Sequence, residues 1–329
     1  YDLNNLRYRS AEQQKDHFGY TDQNITARYT NAETGKYAFQ AKLNLNISDS
    51  FSNGNGQSVF SQGNLQNEHG TVHNRASNYL NPTLDLYYSK NIGKKDELSL
   101  NLVGSHYDTN STQFDREWIL NSNQDVFNND MILKAKQNGI VAEVAHSHSF
   151  EKGKLNSGYR ISNNSISNDL QNLAGNSNYT VNYLQQYLYT EYSGKKDKFT
   201  YRLGLGLTNI HNKSAETTFD EWAFTPKIVL GYQLKNNQSI RFSSSYIPQS
   251  PSSDALSSNV VQVVPNIVRT GNPYLKSQHS FGNNLVYSFN SKYFDLNANA
   301  FYWFRNRASN QYYVLNQNVD GYLLTYENA

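Results

Sequence analysis

The chain has 329 residues, 29 Lys and Arg against 27 Asp and Glu, and no cysteine. The near-zero net charge and the lack of a long basic run argue against a nucleic-acid partner. The missing cysteines exclude disulfides, zinc–thiolate sites and thiol chemistry. Tyr (26) and Phe (16) are abundant while Met occurs once. Mean hydropathy is −0.75, and no apolar run approaches the roughly 18 residues of a membrane helix. An alternating transmembrane strand would escape that criterion, because only about half of its residues are apolar.

The first residues, YDLNNLRYRS, show no basic start followed by an apolar run, so no signal peptide is visible there. Period-2 alternation then dominates. A run near 24–30 comes first. YAFQAKLNLNI places Tyr37, Phe39, Ala41, Leu43, Leu45 and Ile47 on one face and Gln40, Lys42, Asn44 and Asn46 on the other. LNPTLDLYY sets Leu80, Pro82, Leu84, Leu86 and Tyr88 against Thr83 and Asp85. Less regular runs follow near 97–107, 128–136, 139–150, 154–165 and 180–192. FTYRLGLGL alternates Phe199, Tyr201, Leu203, Leu205 and Leu207 with Thr200, Arg202, Gly204 and Gly206. FTPKIVLGYQL (224–234), the runs 238–247 and 281–290, and FDLNANAFYWF (294–304) complete the series. The spacing predicts roughly 14 to 16 strands and no sustained helix.

Short Lys-, Gly- and Asn-bearing turns are expected at 32–36, 91–97, 151–154, 193–198, 235–238 and 290–292. Between them lie polar stretches expected to be long loops: 48–78, 166–178, 210–221 and 248–275. Short turns at one end and long loops at the other mark an outer-membrane barrel. Around 109–139 this parity requires a separate irregular strand near 113–121 and a short outer turn at KQNG (136–139).

Strand length favours lipid over a soluble core, since the regular runs span about 9 to 12 residues, close to what a tilted crossing needs. Aromatic placement agrees. Phe294, Tyr302 and Phe304 flank Leu296, Ala298 and Ala300, and Phe224 and Tyr232 bracket Ile228 and Leu230, as at a lipid boundary. With no linker or composition shift, the expected fold is an all-β, antiparallel transmembrane outer-membrane barrel. A tandem β-sandwich or propeller would show punctuation or repeats.

Residues 183–290 carry a resemblance. YLQQYLYTEYSGKKDKFTYRLGLGLT pairs two strands across a Lys-rich turn, and FTPKIVLGYQLKNNQSIRFSSSY repeats the device. RTGNPYLKSQHSFGNNLVYSF then leads into a strand through Gly271, Asn272, Pro273, Leu275 and Lys276. These segments resemble the barrel domain of TonB-dependent outer-membrane receptors of the Bacteroidetes type. Gly206-Leu207-Thr208 departs from the Arg-and-acid ending usual at that strand. The resemblance implies a 22-strand barrel, of which residues 1–329 are a part, with a plug domain and the last strands lying outside these residues. It also implies TonB-energised import of a nutrient (glycan, peptide, siderophore or cofactor) across the outer membrane of a Gram-negative bacterium. The implied partners are outer-membrane lipid, the TonB complex acting through the plug, a surface lipoprotein and the imported small or oligomeric substrate. Two alternatives stay open: a passive or structural barrel, and a soluble β-rich carbohydrate-binding protein.

No enzyme chemistry, cofactor or metal is expected. His146 and His148 share a face and could chelate, but no third ligand is in view, and an interfacial pair is the plainer reading. Asp115 and Glu117 share a face without a motif for acid–base work. Gly204 and Gly206 lie inside a strand rather than in a phosphate-binding loop, where they let the wall bend or a neighbour approach. Trp118, Trp222 and Trp303 suit either ligand stacking or packing. Arg160, Arg202, Lys227 and Arg241 fall on the polar face, which in a barrel is the lumen. They would pair with acidic groups of the plug or wall, or else meet an anionic substrate, the first being the plainer reading. Specificity would reside in 48–78 and 248–275.

Overall fold

The computed structural model describes residues 2–3, 6–62, 65–214, 217–264, 267–316 and 321–329. The expected strands form one 14-stranded antiparallel sheet. Its members in chain order are β1 (Asp2–Leu3), β2 (Leu6–Glu33), β3 (Tyr37–Gln62), β4 (Leu65–Asn91), β5 (Asp96–Ile119), β6 (Asp125–Phe150), β7 (Gly153–Asn172), β8 (Gly175–Lys196), β9 (Phe199–Ser214), β10 (Thr218–Phe224), β11 (Lys227–Lys235) and β12 (Gln238–Gln249), followed later by β15 and β16. A short helix, α1 (Ser253–Leu256), then β13 (Val261–Val264) and β14 (Ile267–Arg269), precede β15 (Gln278–Asn290) and β16 (Asp295–Asn306). The hairpin β17 (Ser309–Asn316) and β18 (Gly321–Asn328) joins β13 and β14 in a second, four-stranded sheet of order β13-β14-β18-β17.

Each strand of the large sheet pairs with the next member of that sheet along the chain, with β10 and β11 both on β9 and β12 passing over residues 250–277 to β15, so it is a meander of up-and-down strands. Two prolines interrupt a ladder without moving its register. β4 pairs β5 as Leu80↔Asp108 and again as Thr83↔Ser105, skipping Asn81 and Pro82. Likewise β9 pairs β10 through Phe224↔Leu207 and β11 through Lys227↔Gly204. Thus β10 and β11 act as one strand interrupted at Thr225–Pro226, as a residue without an N–H requires.

Among the described residues, the expected long loops at 48–78, 166–178 and 210–221 are largely strand instead. β3 and β4, of 26 and 27 residues, run on through 48–62 and 65–78, and β7 and β8 meet across residues 173–174. Region 109–139 is corrected in the same way. β5 spans Asp96–Ile119 without a break, the turn lies at 120–124, and KQNG sits inside β6 opposite Ser105–Asp108. The physical reason is that a ladder entering water satisfies its backbone groups as well as one in lipid does, while its outward face no longer needs to be apolar. Period-2 hydrophobicity therefore stops at the membrane boundary and the strand does not. All six predicted short turns are present and lie at one end. The asymmetry resides in how far the opposite hairpins project.

Register fixes the direction of the apolar face. Ala41, Leu86, Leu102, Ala142 and Ile161 lie in one row across β3 to β7. Val144, Tyr159, Leu188, Leu207 and Phe224 form another. Leu230, Phe242, Leu285 and Ala300 carry the belt to β16. The belt is uncovered: Leu43 is 48%, Leu188 58% and Leu205 55% exposed. A strip of aliphatic side chains this long, bare of any covering element, suits lipid. No helix among the described residues is long and apolar enough to cross a membrane, which leaves crossing by strands untouched.

Many glycines of the wall are filled from the next strand. The rings of Phe51, Trp118, Tyr189, Tyr201 and Trp303 lie directly over Gly19, Gly70, Gly158, Gly194 and Gly282, each opposite its partner in register. Tyr187 covers Gly206 diagonally. The glycine removes the side chain that would block the ring, and the ring shields the bare backbone.

An arginine placed at Leu205, in the middle of the belt, is expected to cost about 2–4 kcal/mol of folded stability in a bilayer. The same residue at Thr83, on the polar face of β4, is expected to be nearly neutral. Urea unfolding in lipid vesicles, read by heat-modifiable gel mobility, would measure both.

Candidate functional site

The polar face of the wall is the first candidate. Register puts Glu143 opposite Arg160, Arg160 opposite Tyr187, and Glu191 opposite Gly204, with Lys227 beyond it. One carboxylate serves two of the predicted cations: Arg202 Nε lies 3.2 Å from Glu191 Oε1, and Lys227 Nζ 3.6 Å from Oε2. Glu143 accepts a hydrogen bond from the Tyr189 hydroxyl at 2.5 Å. Arg160 and Lys227 line one cavity of about 340 Å³, and Arg202 and Arg241 line another nearer the short turns. The four predicted cations therefore fall in two groups on one face. The residues that organise them, Glu143, Glu191, Tyr187 and Tyr189, were missed in the sequence. Their signal was period-2 placement opposite the cations, which becomes visible only once the register is known.

The second candidate is the segment 250–277, which folds over the polar face at the end opposite the short turns. Tyr179 and Val181 of β8 share that face with Tyr187, and they bury against Ala255, Leu256 and Leu275, with Ile166, Tyr183 and Tyr326 packed around them. Ser252 caps α1, its side chain accepting from Ala255 N at 3.3 Å. The wall holds the segment by polar contacts too: Tyr183 donates to Pro251 O at 3.2 Å, Asn172 to Val260 O at 3.1 Å and Thr217 to Pro273 O at 2.9 Å.

Within this segment the Gly-Asn-Pro motif is a clasp. Gly271 N donates to Ser257 O at 2.8 Å, and the carbonyls of Asp254, Ala255 and Ser257 occupy the space a β-carbon would need. Asn272 donates to Tyr326 O and accepts from Tyr274 N, both at 3.0 Å. Lys276 N donates to the Asn328 side chain at 2.7 Å. Leu275 is 2% exposed. Chain entry into β15 at Gln278 is thereby tied to β18.

A charged cluster sits beside the clasp, beyond the aromatic rim of the belt at Phe281 and Phe304. Arg307 Nη2 donates to Glu221 Oε1 at 2.6 Å, and His279 Nε2 lies 3.1 Å from Glu221 Oε2. Tyr246 meets the other nitrogen of His279. Arg307 takes a left-handed backbone, φ 56°, where the chain leaves β16. A non-glycine residue is held there only by outside contacts, here Glu221 and Asn328, whose side chain donates to Arg307 O at 2.9 Å. Partial burial raises the Glu221 pKa, but its hydrogen bonds with Arg307 and His279 outweigh this and hold it below the usual carboxylate range.

Most of the other candidate residues from the sequence have local partners of their own. Asp115 lies 3.6 Å from Arg75, and Glu117 Oε1 2.5 Å from His69 Nδ1, so each carboxylate has its own partner. Both line a cavity of about 420 Å³ between the outer hairpins and Val263 of β13. His146 and His148 both bond Asp96 Oδ1, at 3.0 and 2.7 Å. Among the described residues no cluster of three or more His, Asp or Glu has metal-site geometry. Trp118 and Trp303 are engaged over glycines, Trp118 also meeting Arg116 at 4.9 Å, while Trp222 is 60% exposed at the rim.

A meander with a bare apolar belt on one face and a charged wall on the other defines an outer-membrane β-barrel. Residues 90–329 match the outer membrane protein beta-barrel family, and the chain belongs to it. Its place is the outer membrane of a Gram-negative cell. No curated protein matches the sequence. Among solved structures, the ferric-catecholate import receptor Fiu of E. coli K12 is similar at TM-score 0.58 and 10% identity, over 97% of this chain and 59% of that one. The copper transporter OprC is similar at 0.58 and 10%, over 99% and 57%. The ferripyoverdine receptor of the outer membrane of Pseudomonas aeruginosa is similar at 0.58 and 10%, over 98% and 52%. At such identities the likeness is one of fold, and the chain spans little more than half the length of these proteins.

Two outcomes test the mouth. Gly271→Ala is expected to lower stability by about 1–3 kcal/mol, the usual cost of overpacking, and to speed protease cleavage within 250–277 before the wall unfolds. Because the Glu221 pKa is depressed in the folded state, its tether is at full strength above the ordinary carboxylate pKa and is lost as pH falls through the folded value. Corrected for the intrinsic rate, hydrogen exchange around His279 and Arg307 should therefore rise below about pH 4, and Glu221→Gln should remove that dependence.

Proposed function

We propose that the chain is the wall of an outer-membrane receptor that imports a nutrient by substrate-gated, TonB-energised uptake. The observation that carries this reading is the mouth segment, packed by the family motif onto the polar face of a membrane wall. A receptor needs an ordered surface that ligand can reach from outside, and the segment packed on the polar face at that end supplies one. The likeness in fold to the import receptor Fiu and the copper transporter OprC supports the same reading.

In this mechanism the outer hairpins and the segment 250–277 capture the substrate. A plug, pulled from the inner membrane through TonB, then opens the lumen. No bond is made or broken, and the residues named here bind and position. Arg160, Arg202, Lys227 and Arg241 face the lumen.

Planar-bilayer recording of the full-length protein tests this. A gated receptor should show little steady conductance, and it should be retained by the periplasmic domain of TonB in a pull-down. A large, constant ohmic current together with no retention would favour the passive barrel instead.

A further inference from the structure

The wall holds more positive charge than its own carboxylates compensate, and we infer that the niche between β7 and β12 binds an anionic group, a carboxylate or a phosphate, carried by a soluble ligand. The inference deepens the proposed import function and rests on it for the ligand's route.

Arg160 stands opposite Glu143 in the ladder, yet Glu143 is held by the Tyr189 hydroxyl at 2.5 Å. No carboxylate lies within ion-pair distance of Arg160 among the described residues. Lys227 reaches Glu191 only at 3.6 Å, and that carboxylate is closer to Arg202, at 3.2 Å. The neighbouring cavity adds Arg241 and Lys195, together with Lys154, which lies 3.4 Å from Glu97, and no Asp or Glu lines it. The niche itself, of about 340 Å³, also has no Asp or Glu in its lining. Around its two cations stand hydroxyl and amide groups, those of Tyr187, Thr225, Gln185 and Ser245. Thr225 is only 7% exposed.

Like charges grouped on a low-dielectric wall repel one another, and an anion that enters between them gains from both. The guanidinium of Arg160 offers a planar fork for two oxygens, and Lys227 a point charge for a third. The surrounding hydroxyl and amide groups can donate to the lone pairs of the oxyanion that the two cations leave free. The niche also reaches Ile247 and Pro248, where β12 gives way to the mouth segment, so it opens toward the side from which ligand arrives.

Isothermal titration of the full-length protein in detergent, with inorganic phosphate in one arm and citrate in the other, tests the site. At least one anion should bind the wild type, more weakly as salt rises. Arg160→Gln and Lys227→Gln should each weaken it by about tenfold to a hundredfold, the usual loss for a charge-assisted contact. Lys42→Gln, on the same face in β3, should leave it unchanged, and heat-modifiable mobility would verify that each variant folds. The inference is overturned if neither anion binds, or if the two niche variants bind as well as the wild type. It is also overturned if the variants leave anion binding unchanged but speed proteolysis of the plug, for the cations would then hold plug carboxylates. Bilayer closure and retention by TonB do not depend on these outcomes, so the import reading stands or fails separately.

Discussion

Hydrocarbon offers no hydrogen-bond partner to a peptide group, and everything in this wall follows from that. Each strand crossing lipid must exchange all of its backbone bonds with neighbours on both sides. The meander meets the demand by constancy of register. β3 keeps one register with β4 over its whole length, and β9 keeps one with β10 and β11 across a proline. Since side chains alternate strictly, constant register puts every apolar residue of the belt on the same side. The lipid face and the charged face are thus two results of a single backbone requirement.

Aromatic rings over glycines strengthen the same ladder. Tyr189 over Gly158 does this on the polar face and Tyr201 over Gly194 on the belt. The abundance of Tyr therefore serves more than an interfacial girdle: a number of its rings are packed into the wall. It also explains Gly206, which leaves room for Tyr187 and so places a hydroxyl beside Thr225 at the edge of the niche.

Outside the membrane the constraint relaxes, and the chain uses the freedom in two ways. The hairpins β3–β4 and β5–β6 continue as ribbons carrying His, Asp, Glu and Arg on the face that is the lumen wall lower down. The segment 250–277 leaves the wall, pairs its β13 and β14 with β18 and closes a small core of its own against β8. Its fixed points are local and specific. Gly271 admits three carbonyls, Asn272 and Asn328 join the segment to β18, and Glu221 holds Arg307 in a backbone it would not otherwise choose.

The sequence by itself determined the architecture wherever lipid imposes alternation. Leu203, Leu205 and Leu207 against Arg202, Gly204 and Gly206 is enough to write a strand, its two faces and, with the Lys-rich turn before it, its end of the barrel. The short turns were legible for the same reason. What only the tertiary structure decided lies where alternation stops carrying information. In water both faces of a ribbon are polar, so 48–78 and 210–221 looked like loops although they are largely strand, and KQNG looked like a turn inside β6. Pairing across strands is equally silent in one dimension. That Glu143 is taken by Tyr189 rather than by Arg160, or that Glu221, His279 and Arg307 meet from three elements, depends on register and on how a 28-residue segment folds back, neither of which any local pattern encodes.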